Sequence, residues 1–587
     1  MNRREFLVRA AAMSAAAYAG EAATKTTSRE QVAFDLHDLV LKNGRVLDGA
    51  GNPWFKADIG VKDGRISRIG RVDEQKATRV IDAEGLFVSP GFIDIHSHSD
   101  TSFFTDPWME SKIRQGITTE LNGNCGTSPV PRRSRARRGR SGQGASWSTW
   151  KEYFDRLEQR GIGLNTATLI GHGTVRTHVM GRDVAAPSPE QLDEMRALVR
   201  DAMQNGAAGL STGLAYSPGV YAHTDEVVAL AEVAAEFGGI YASHIRDFSS
   251  KVLGWSGEEG SVYRAVAEAI EIGRRSGVRV VQISHLSSNS PYSGDTELDE
   301  KIHDLIFQAR EEGIDVLVDI LPSDWGSVAA WPGRSVFSPA YLADGRESLL
   351  ARLRDPVQRA VLKEELLTKS PAEMGFENTT TRLLLIRAGK GDGVWIFPPV
   401  NGRLKNPAYE RQTLAAIAKM KGVDPLDALF DVLIEEDGQI AIANKLMEDR
   451  NSQLTWSNAM PSTDGGGTTK PGANRRVRPS AYSAFSDALV WVREKKLVTI
   501  ESMIRQMTSL PAHALRLRDR GLIRESFRAD LTVFDLENVE SLCTYENDAR
   551  PAYPTGIPYV IVNGAPVIDE GQVTTVLPGE VLRHSYD

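Results

Sequence analysis

Phe92-Ile93-Asp94-Ile95-His96-Ser97-His98 is the stretch whose reading decides the fold. Its opening residues are aromatic and branched, as in a buried strand. Residues two apart on a strand face the same side, so His96 and His98 point together at its C-terminal end. Two imidazoles in that register can share one metal ion. A single histidine is ordinarily a satisfied polar residue. A His-x-His closing an apolar strand is a rarer pattern, and it raises the question of what else converges there.

Outward from this strand, apolar β-rich runs alternate with helical patterns, which indicates α/β with a parallel sheet. Eight strands are expected, over Leu86–His98, Ile117–Asn122, Asn165–His172, Ala207–Thr212, Gly239–His244, Val278–His285, Ile314–Ile320 and Gln453–Met460. Amphipathic segments such as Pro189–Asn205 and Val262–Ser276 separate most of them. Eight strand–helix units make a (β/α)8 TIM-type barrel, here residues 91–520. The gap between the last two strands exceeds one helix, so residues 325–450 are read as a lid or insertion.

Both chain ends read as short strands with turn signals. Residues 36–90 contain Asn43-Gly44 and Asp63-Gly64 turns, and residues 521–587 contain Ala529–Asp535 and Tyr559–Gly564. Neither end buries a core alone, so together they are expected to form one small β-sandwich.

The rim of the barrel collects the chemistry. His244 ends Ile240-Tyr241-Ala242-Ser243-His244, and His285 ends Val281-Gln282-Ile283-Ser284-His285. Cys125 follows the second strand in Asn122-Gly123-Asn124-Cys125-Gly126, and Asp464 follows the eighth in Ser462-Thr463-Asp464-Gly465. Barrel enzymes carry their catalytic residues at this end of the strands. Four His, one Cys and one Asp at one rim would otherwise be six coincidences.

The pattern resembles the amidohydrolase superfamily and, more closely, the N-acyl-D-amino-acid deacylase (D-aminoacylase) family. The resemblance spans nearly all of the chain after residue 36. It rests on GFIDIHSHSD (91–100), QGITTELNGNCG (115–126), LIGHGTVR (169–176), GAAGLSTGLAYSPGVYA (206–222), YASHIRD (241–247), QISHLS (282–287) and PAHALRLRDRGLIRESFRADLTVFD (511–535). GNCG and GLSTGL are specific to this branch; hydantoinases and dihydroorotases usually place a carboxylated lysine where Cys125 stands. The resemblance implies zinc held by Cys125, His244 and His285, a second and weaker position at His96, His98 and Asp464, and Asp464 as general acid/base. It implies hydrolysis of an amide bond in a small N-acyl substrate.

Other rim residues have two readings each. His172 and Arg176 either line the substrate pocket or form a structural turn. Tyr216 and Tyr221 pack the acyl group or cover the barrel top. Arg246 pairs with a substrate carboxylate or with a protein one. Three positions depart from the family pattern: Ser287 replaces a lysine, Asp319-Ile320-Leu321-Pro322-Ser323 replaces Asp-x-Tyr-Pro-Tyr, and Arg478-Pro479-Ser480 replaces His-Pro-Arg, with Arg478 a displaced candidate for the carboxylate. These keep open a cyclic amide, carbamate or peptide-like amide without a carboxylate. A non-catalytic, metal-holding exported barrel is the third reading, and the retained Asp464 argues against it.

At the N-terminus, Asn2-Arg3-Arg4-Glu5-Phe6-Leu7, an Ala-rich stretch and Ala17-Tyr18-Ala19 read as a twin-arginine signal within residues 1–30, and so as export to the periplasm. It is too short and too weakly apolar to span a membrane, and no long apolar run follows it. Two cysteines make no disulfide framework, and Cys543 is read as inert. A net charge of −8 gives no reason to expect nucleic acid. Pro129–Gln143, with six arginines and no interleaved aromatics, is read as a solvated loop or a patch for an anionic substrate. Oligomeric state is not legible.

Overall fold

The computed structural model describes residues 36–131, 147–181, 183–247, 261–286, 296–323, 325–329, 336–337, 341, 345–369, 383, 386–387, 389, 391–399, 402–473 (apart from 446–452) and 476–585. The signal stretch 1–30, the arginine run from 132 to 143, Ser287 and parts of the 325–450 insertion lie outside them.

Five strands open the fold: β1 (His37–Val46), β2 (Phe55–Lys62), β3 (Arg65–Gly70), β4 (Ala77–Asp82) and β5 (Phe87–Pro90). β1 pairs with three of them, antiparallel with β2 and parallel with β4 and β5. Its alternating Leu39 and Leu41 are buried with Val61, Val88 and Leu531 in one cluster. That cluster already includes the far end of the chain.

The barrel follows at once with β6 (Phe92–Asp94), β7 (Ile117–Asn122), β8 (Asn165–Thr168), β9 (Ile170–Gly171), β10 (Gly209–Gly213), β11 (Ile240–His244), β12 (Val280–Ile283) and β13 (Asp315–Ile320). An insertion carries β14 (Trp325–Ala329), β15 (Val394–Phe397), β16 (Gln412–Thr413) and β17 (Ala441–Lys445), and the barrel resumes with β18 (Ala459–Pro461). β6–β7–β8 and β9–β10–β11–β12–β13–β18 are parallel ladders, and β8 and β9 are two halves of one strand. That makes eight strand positions, with β10 to β13 each preceded by a helix such as Thr224–Glu236. At the seam between the eighth and first strands, the Asp464 N–H donates to the His96 carbonyl at 2.9 Å.

Four expectations need correction. The run Leu86–His98 is not one strand. It breaks at Gly91, whose N–H turns to the Asp530 carbonyl at 2.8 Å, so β5 belongs to the sheet and β6 to the barrel. A Cβ on Gly91 would stand 2.1 Å from Thr118 Oγ1, so only glycine fits the break. Residues 165–172 also divide, and His172 opens the helix His172–Met180 instead of ending a strand. The eighth strand is only Ala459–Pro461. Finally, residues 576–585 leave the sheet. The Gly579, Leu582 and His584 N–H groups donate to the carbonyls of Ile162, Thr166 and Gly206, so this tail runs across the N-terminal ends of the third and fourth strands.

The remaining C-terminal strands, β19 (Leu531–Phe534), β20 (Tyr559–Val562), β21 (Ala565–Asp569) and β22 (Gln572–Val573), complete a nine-stranded sheet. Its joint is the antiparallel pair β5–β19, with Val88 opposite Val533. The small domain is therefore built from both chain ends, as expected. The insertion forms its own antiparallel sheet, β14-β17-β15-β16, over a separate core that includes Leu349, Ile396, Leu414 and Phe430. No helix among the described residues is long and apolar enough to cross a membrane.

Candidate metal centre

Each donor sits on the C-terminal rim because its strand delivers it there. His244 is the last residue of β11, Cys125 and His285 follow β7 and β12 by three and two residues, and Asp464 follows β18 by three. His96 and His98 lie just past β6. All six are buried except His98, which is half-buried.

Cys125 is the shared corner. Its Sγ lies 3.3 Å from His96 Nε2, 3.4 Å from His285 Nε2 and 3.7 Å from His244 Nδ1. His244 Nδ1 and His285 Nε2 are 2.8 Å apart. Opposite them, Asp464 Oδ1 is 3.0 Å from His98 Nε2 and 3.6 Å from His96 Nε2. Two donor triads result, Cys125–His244–His285 and His96–His98–Cys125, each within 4.8 Å. In a tetrahedral zinc site with about 2.0–2.1 Å to imidazole and about 2.3 Å to thiolate, ligand atoms stand roughly 3.3–3.6 Å apart. The sulfur–nitrogen spacings already fit, and the one nitrogen–nitrogen spacing needs to open by about half an ångström. A thiolate with two imidazoles is a zinc-type donor set.

The electrostatics prepare those donors. Burial pushes the Cys125 thiol up, but His96 and His285, with hydrogen bonds from His244 and His285, outweigh it and hold the thiol well below its usual range. Burial likewise opposes ionisation of Asp464, and the charge of Arg478 and the His98 hydrogen bond hold it well below the usual carboxylate range. Burial works against a charged His98; its hydrogen bonds to Asp464 and Cys125 prevail and push it up to about 9.

Backbone shape fixes the donors. Cys125 (φ 53°), His285 (φ 37°) and Asp464 (φ 45°) all adopt left-handed conformations, which non-glycine residues hold only when their surroundings dictate it. The glycine motifs make room for this. A Cβ on Gly126 (φ 73°) would press to 2.7 Å on the Gly213 nitrogen, and one on Gly466 to 2.5 Å on the His98 carbonyl.

Asp319, which the residue pattern marked only as part of a departure, orients the site. Its Oδ2 accepts from His96 Nδ1 (3.1 Å) and Gln282 Nε2 (2.7 Å), and its Oδ1 accepts from the His285 N–H (2.9 Å) and Ser462 Oγ (2.8 Å). A carboxylate only accepts, so His96 carries a proton on Nδ1 and turns Nε2 towards the cluster. Its signal was available: Asp319 closes the apolar run Val316-Leu317-Val318 just as His244 closes its own.

Lys112 had no such signal. Its ammonium is wholly buried at the seam between strands eight and one. It donates to Asp94 Oδ2 (2.8 Å), the Gly465 carbonyl (2.6 Å) and Thr463 Oγ1, with Glu120 at 3.8 Å. Thr463 and Gly465 flank Asp464, so this network holds the Asp464 loop on the first strand.

Six rim residues read ambiguously in the sequence now have places. Tyr216 stands at the centre: its hydroxyl donates to the Cys125 carbonyl (2.6 Å), and its ring meets His244 edge-on at 4.9 Å. Arg478 donates to the Asp464 carbonyl (2.7 Å) and Oδ2 (2.6 Å). His172 and Arg246 are corrected as substrate ligands. His172 is wholly buried and donates Nε2–H to Glu226 at 2.8 Å, and buried Arg176 pairs with the other oxygen of the same carboxylate. Arg246 spends its guanidinium on Glu268 (2.9 and 2.8 Å) and the carbonyls of Val220 (3.2 Å) and Ala222 (3.0 Å). Tyr221 ends the short turn Gly219–Tyr221.

The amidohydrolase family model matches residues 79–324 and 400–568. The chain belongs to the amidohydrolase family. A model of the urease alpha-subunit N-terminal domain also matches residues 17–91. Among curated relatives, this amidohydrolase is 31% identical to the N-acyl-D-glutamate deacylase of Alcaligenes xylosoxydans xylosoxydans, over 93% of this chain and 96% of that one. It is 29% identical to the D-aminoacylase of the same organism, over 93% and 98%. Among solved structures, the N-acyl-D-glutamate deacylase of Bordetella bronchiseptica, complexed with zinc and a phosphonate mimic of the tetrahedral intermediate, matches with a TM-score of 0.70 at 29% identity. It covers 93% of this chain and 100% of that one.

Proposed function

We propose that this amidohydrolase deacylates N-acyl-D-amino acids to a carboxylate and a D-amino acid, and that it does so after export by the twin-arginine route. The observation that carries the reading is the convergence of Cys125, His244 and His285 opposite an ionised Asp464 at the barrel rim. The deacylases that the chain resembles over nearly its whole length support the substrate class.

Cys125, His244 and His285 would hold zinc, with His96, His98 and Asp464 forming a second, weaker position. Bound zinc supplies an acidified water and a polarised carbonyl at this rim. Asp464 does the proton work. Held ionised, it accepts the proton of the attacking water on Oδ1, then returns it to the amide nitrogen as the C–N bond breaks. The nitrogen must gain that proton, because an amine leaves poorly as an anion. Asp319 holds the His96 ring by its Nδ1 proton throughout.

The test is the purified mature chain with its metal quantified, assayed on paired N-acetyl-D- and N-acetyl-L-amino acids, with Asp464→Asn as control. Turnover of the D series alone, lost in the variant while zinc stays bound, is the expected result. Zinc bound with neither series hydrolysed would overturn the substrate assignment.

One observation favours a second reading, an amide without a carboxylate: Arg478 already donates to Asp464 twice. Comparing each N-acetyl-D-amino acid with its C-terminal amide separates the two. Faster turnover of the amides would select the second.

A further inference from the structure

Asp464, His98 and Arg478 form one side of a cavity of about 410 Å3, within the roughly 300–1,000 Å3 of small-molecule sites. Thr468, Thr469 and Tyr482 line it too, and apolar side chains from distant parts of the chain supply much of the rest. The insertion supplies Phe397, Pro398 and Ala441, the connection before β20 supplies Tyr545 and Ala549, and the rim loop supplies Val477. Phe397 and Tyr545 meet at 5.7 Å between ring centroids, inclined by 50°. Trp325 packs behind both, 5.8 Å from Phe397 and 4.7 Å from Tyr545, which fixes the wall in place. The side next to Asp464 is the bare backbone of Gly465, Gly466 and Gly467.

Two arginines reach the cavity, and both are committed. Arg476 donates to both oxygens of Asp548 (2.9 Å each) and to the carbonyls of Pro399 (3.0 Å) and Gly402 (3.1 Å). A second carboxylate could recruit it only by breaking a bidentate pair. Arg478 stands at the Asp464 end, where it donates to the Asp464 carbonyl and to Oδ2. The far wall therefore offers rings and methyl groups, with no cation to spare for an acid. Ring walls favour aromatic guests through offset and edge-to-face contacts.

We propose that this cavity takes an aryl or comparably bulky apolar group of the substrate, attached to the amide held against Asp464, and that it rejects an acidic side chain. This rests on the deacylase reading. The group has two possible attachments, the amino-acid side chain or the acyl chain, and the chemistry that recognises it is the same.

The experiment uses the full mature chain loaded with zinc and two substrate series. One varies the side chain in N-acetyl-D-alanine, -leucine, -phenylalanine and -glutamate. The other varies the acyl group on D-alanine from acetyl to phenylacetyl. The expected result is a kcat/KM at least about tenfold higher for the aryl member than for N-acetyl-D-alanine in one series, which also names the attachment. Ala441→Phe, which fills the cavity, should shrink that ratio towards one. Tyr545→Leu provides an independent variant should the first fail to fold. Hydrolysis of N-acetyl-D-alanine with no aryl preference in either series overturns the cavity assignment alone. Preference for the glutamate derivative also overturns it. No hydrolysis in either series overturns the deacylase reading, and the cavity assignment falls with it.

Discussion

Two buried histidine clusters sit on the same barrel. In one, His96, His244 and His285 surround the Cys125 sulfur, with an ionised Asp464 opposite. In the other, His172 and Arg176 share the carboxylate of Glu226. Both begin with a histidine after a barrel strand, and both are wholly or nearly wholly buried. The second is closed around one anion: His172 and Arg176 take one oxygen each of the Glu226 carboxylate. The first gathers three imidazoles around one sulfur, with the Asp464 carboxylate opposite. Burial and position alone do not mark a functional histidine; an excess of convergent lone pairs does.

That contrast can be broken by experiment. The largest effect belongs to Asp464→Asn, which should lower kcat by about 10²–10⁴-fold. The tightly held zinc, measured on the same sample after the weaker position is stripped, should stay bound, since the Cys125–His244–His285 triad excludes residue 464. Loss of zinc instead would move Asp464 into the tight site. Glu226→Ala comes next. It leaves the buried Arg176 guanidinium without its carboxylate, a change that typically costs about 3–5 kcal/mol. The melting midpoint should fall sharply, while the protein that remains folded keeps its zinc. A loss of zinc at full stability would join the two clusters functionally.

Glu226 also carries a pH test. Burial raises its carboxyl, and His172 and Arg176 outweigh that and hold it below its ordinary value of 4.5. A depressed folded-state value means that its stabilisation is present above 4.5 and disappears as pH falls through the folded value. The stability gap between wild type and Glu226→Gln should therefore narrow as melts are taken from pH 6 towards pH 3. A constant gap would show that the carboxylate charge contributes nothing.

Asp319→Asn is a smaller change, expected to weaken metal affinity or activity by about 10–100-fold, read by zinc competition with a chelator. An unaltered affinity would mean that His96 keeps its orientation without this partner. Smallest is Arg246→Met. Its ion pair with Glu268 is partly exposed and worth about 1 kcal/mol or less. A large rise in KM with stability intact would return Arg246 to the substrate site.

Most of this was legible because strand ends are legible. His244, His285, Cys125 and Asp464 each follow an apolar β run, and the barrel's parallel topology carries all such ends to one rim. Failure came where two short elements join without a polar break. Phe87–Pro90 and Phe92–Asp94 read as one run, because a single glycine switches sheets between them. His172 misled because its partner Glu226 lies 54 residues away, and no local pattern reveals that pairing. Lys112 was invisible for the same reason. It sits between Glu110 and Arg114 in Glu110-Ser111-Lys112-Ile113-Arg114, and only the tertiary fold brings it to Asp94.

The pairing of β5 with β19 has a consequence for the order of events at the ribosome. The strand that leads directly into the barrel finds its neighbour only in residues 531–534. By then the whole barrel and its insertion have been synthesised, so until release one edge of β5 has no strand to close it. Completion of this protein is a late, whole-chain event. Cutting the gene before residue 531 would not yield a shorter enzyme but a barrel whose entrance strand is left open to the solvent.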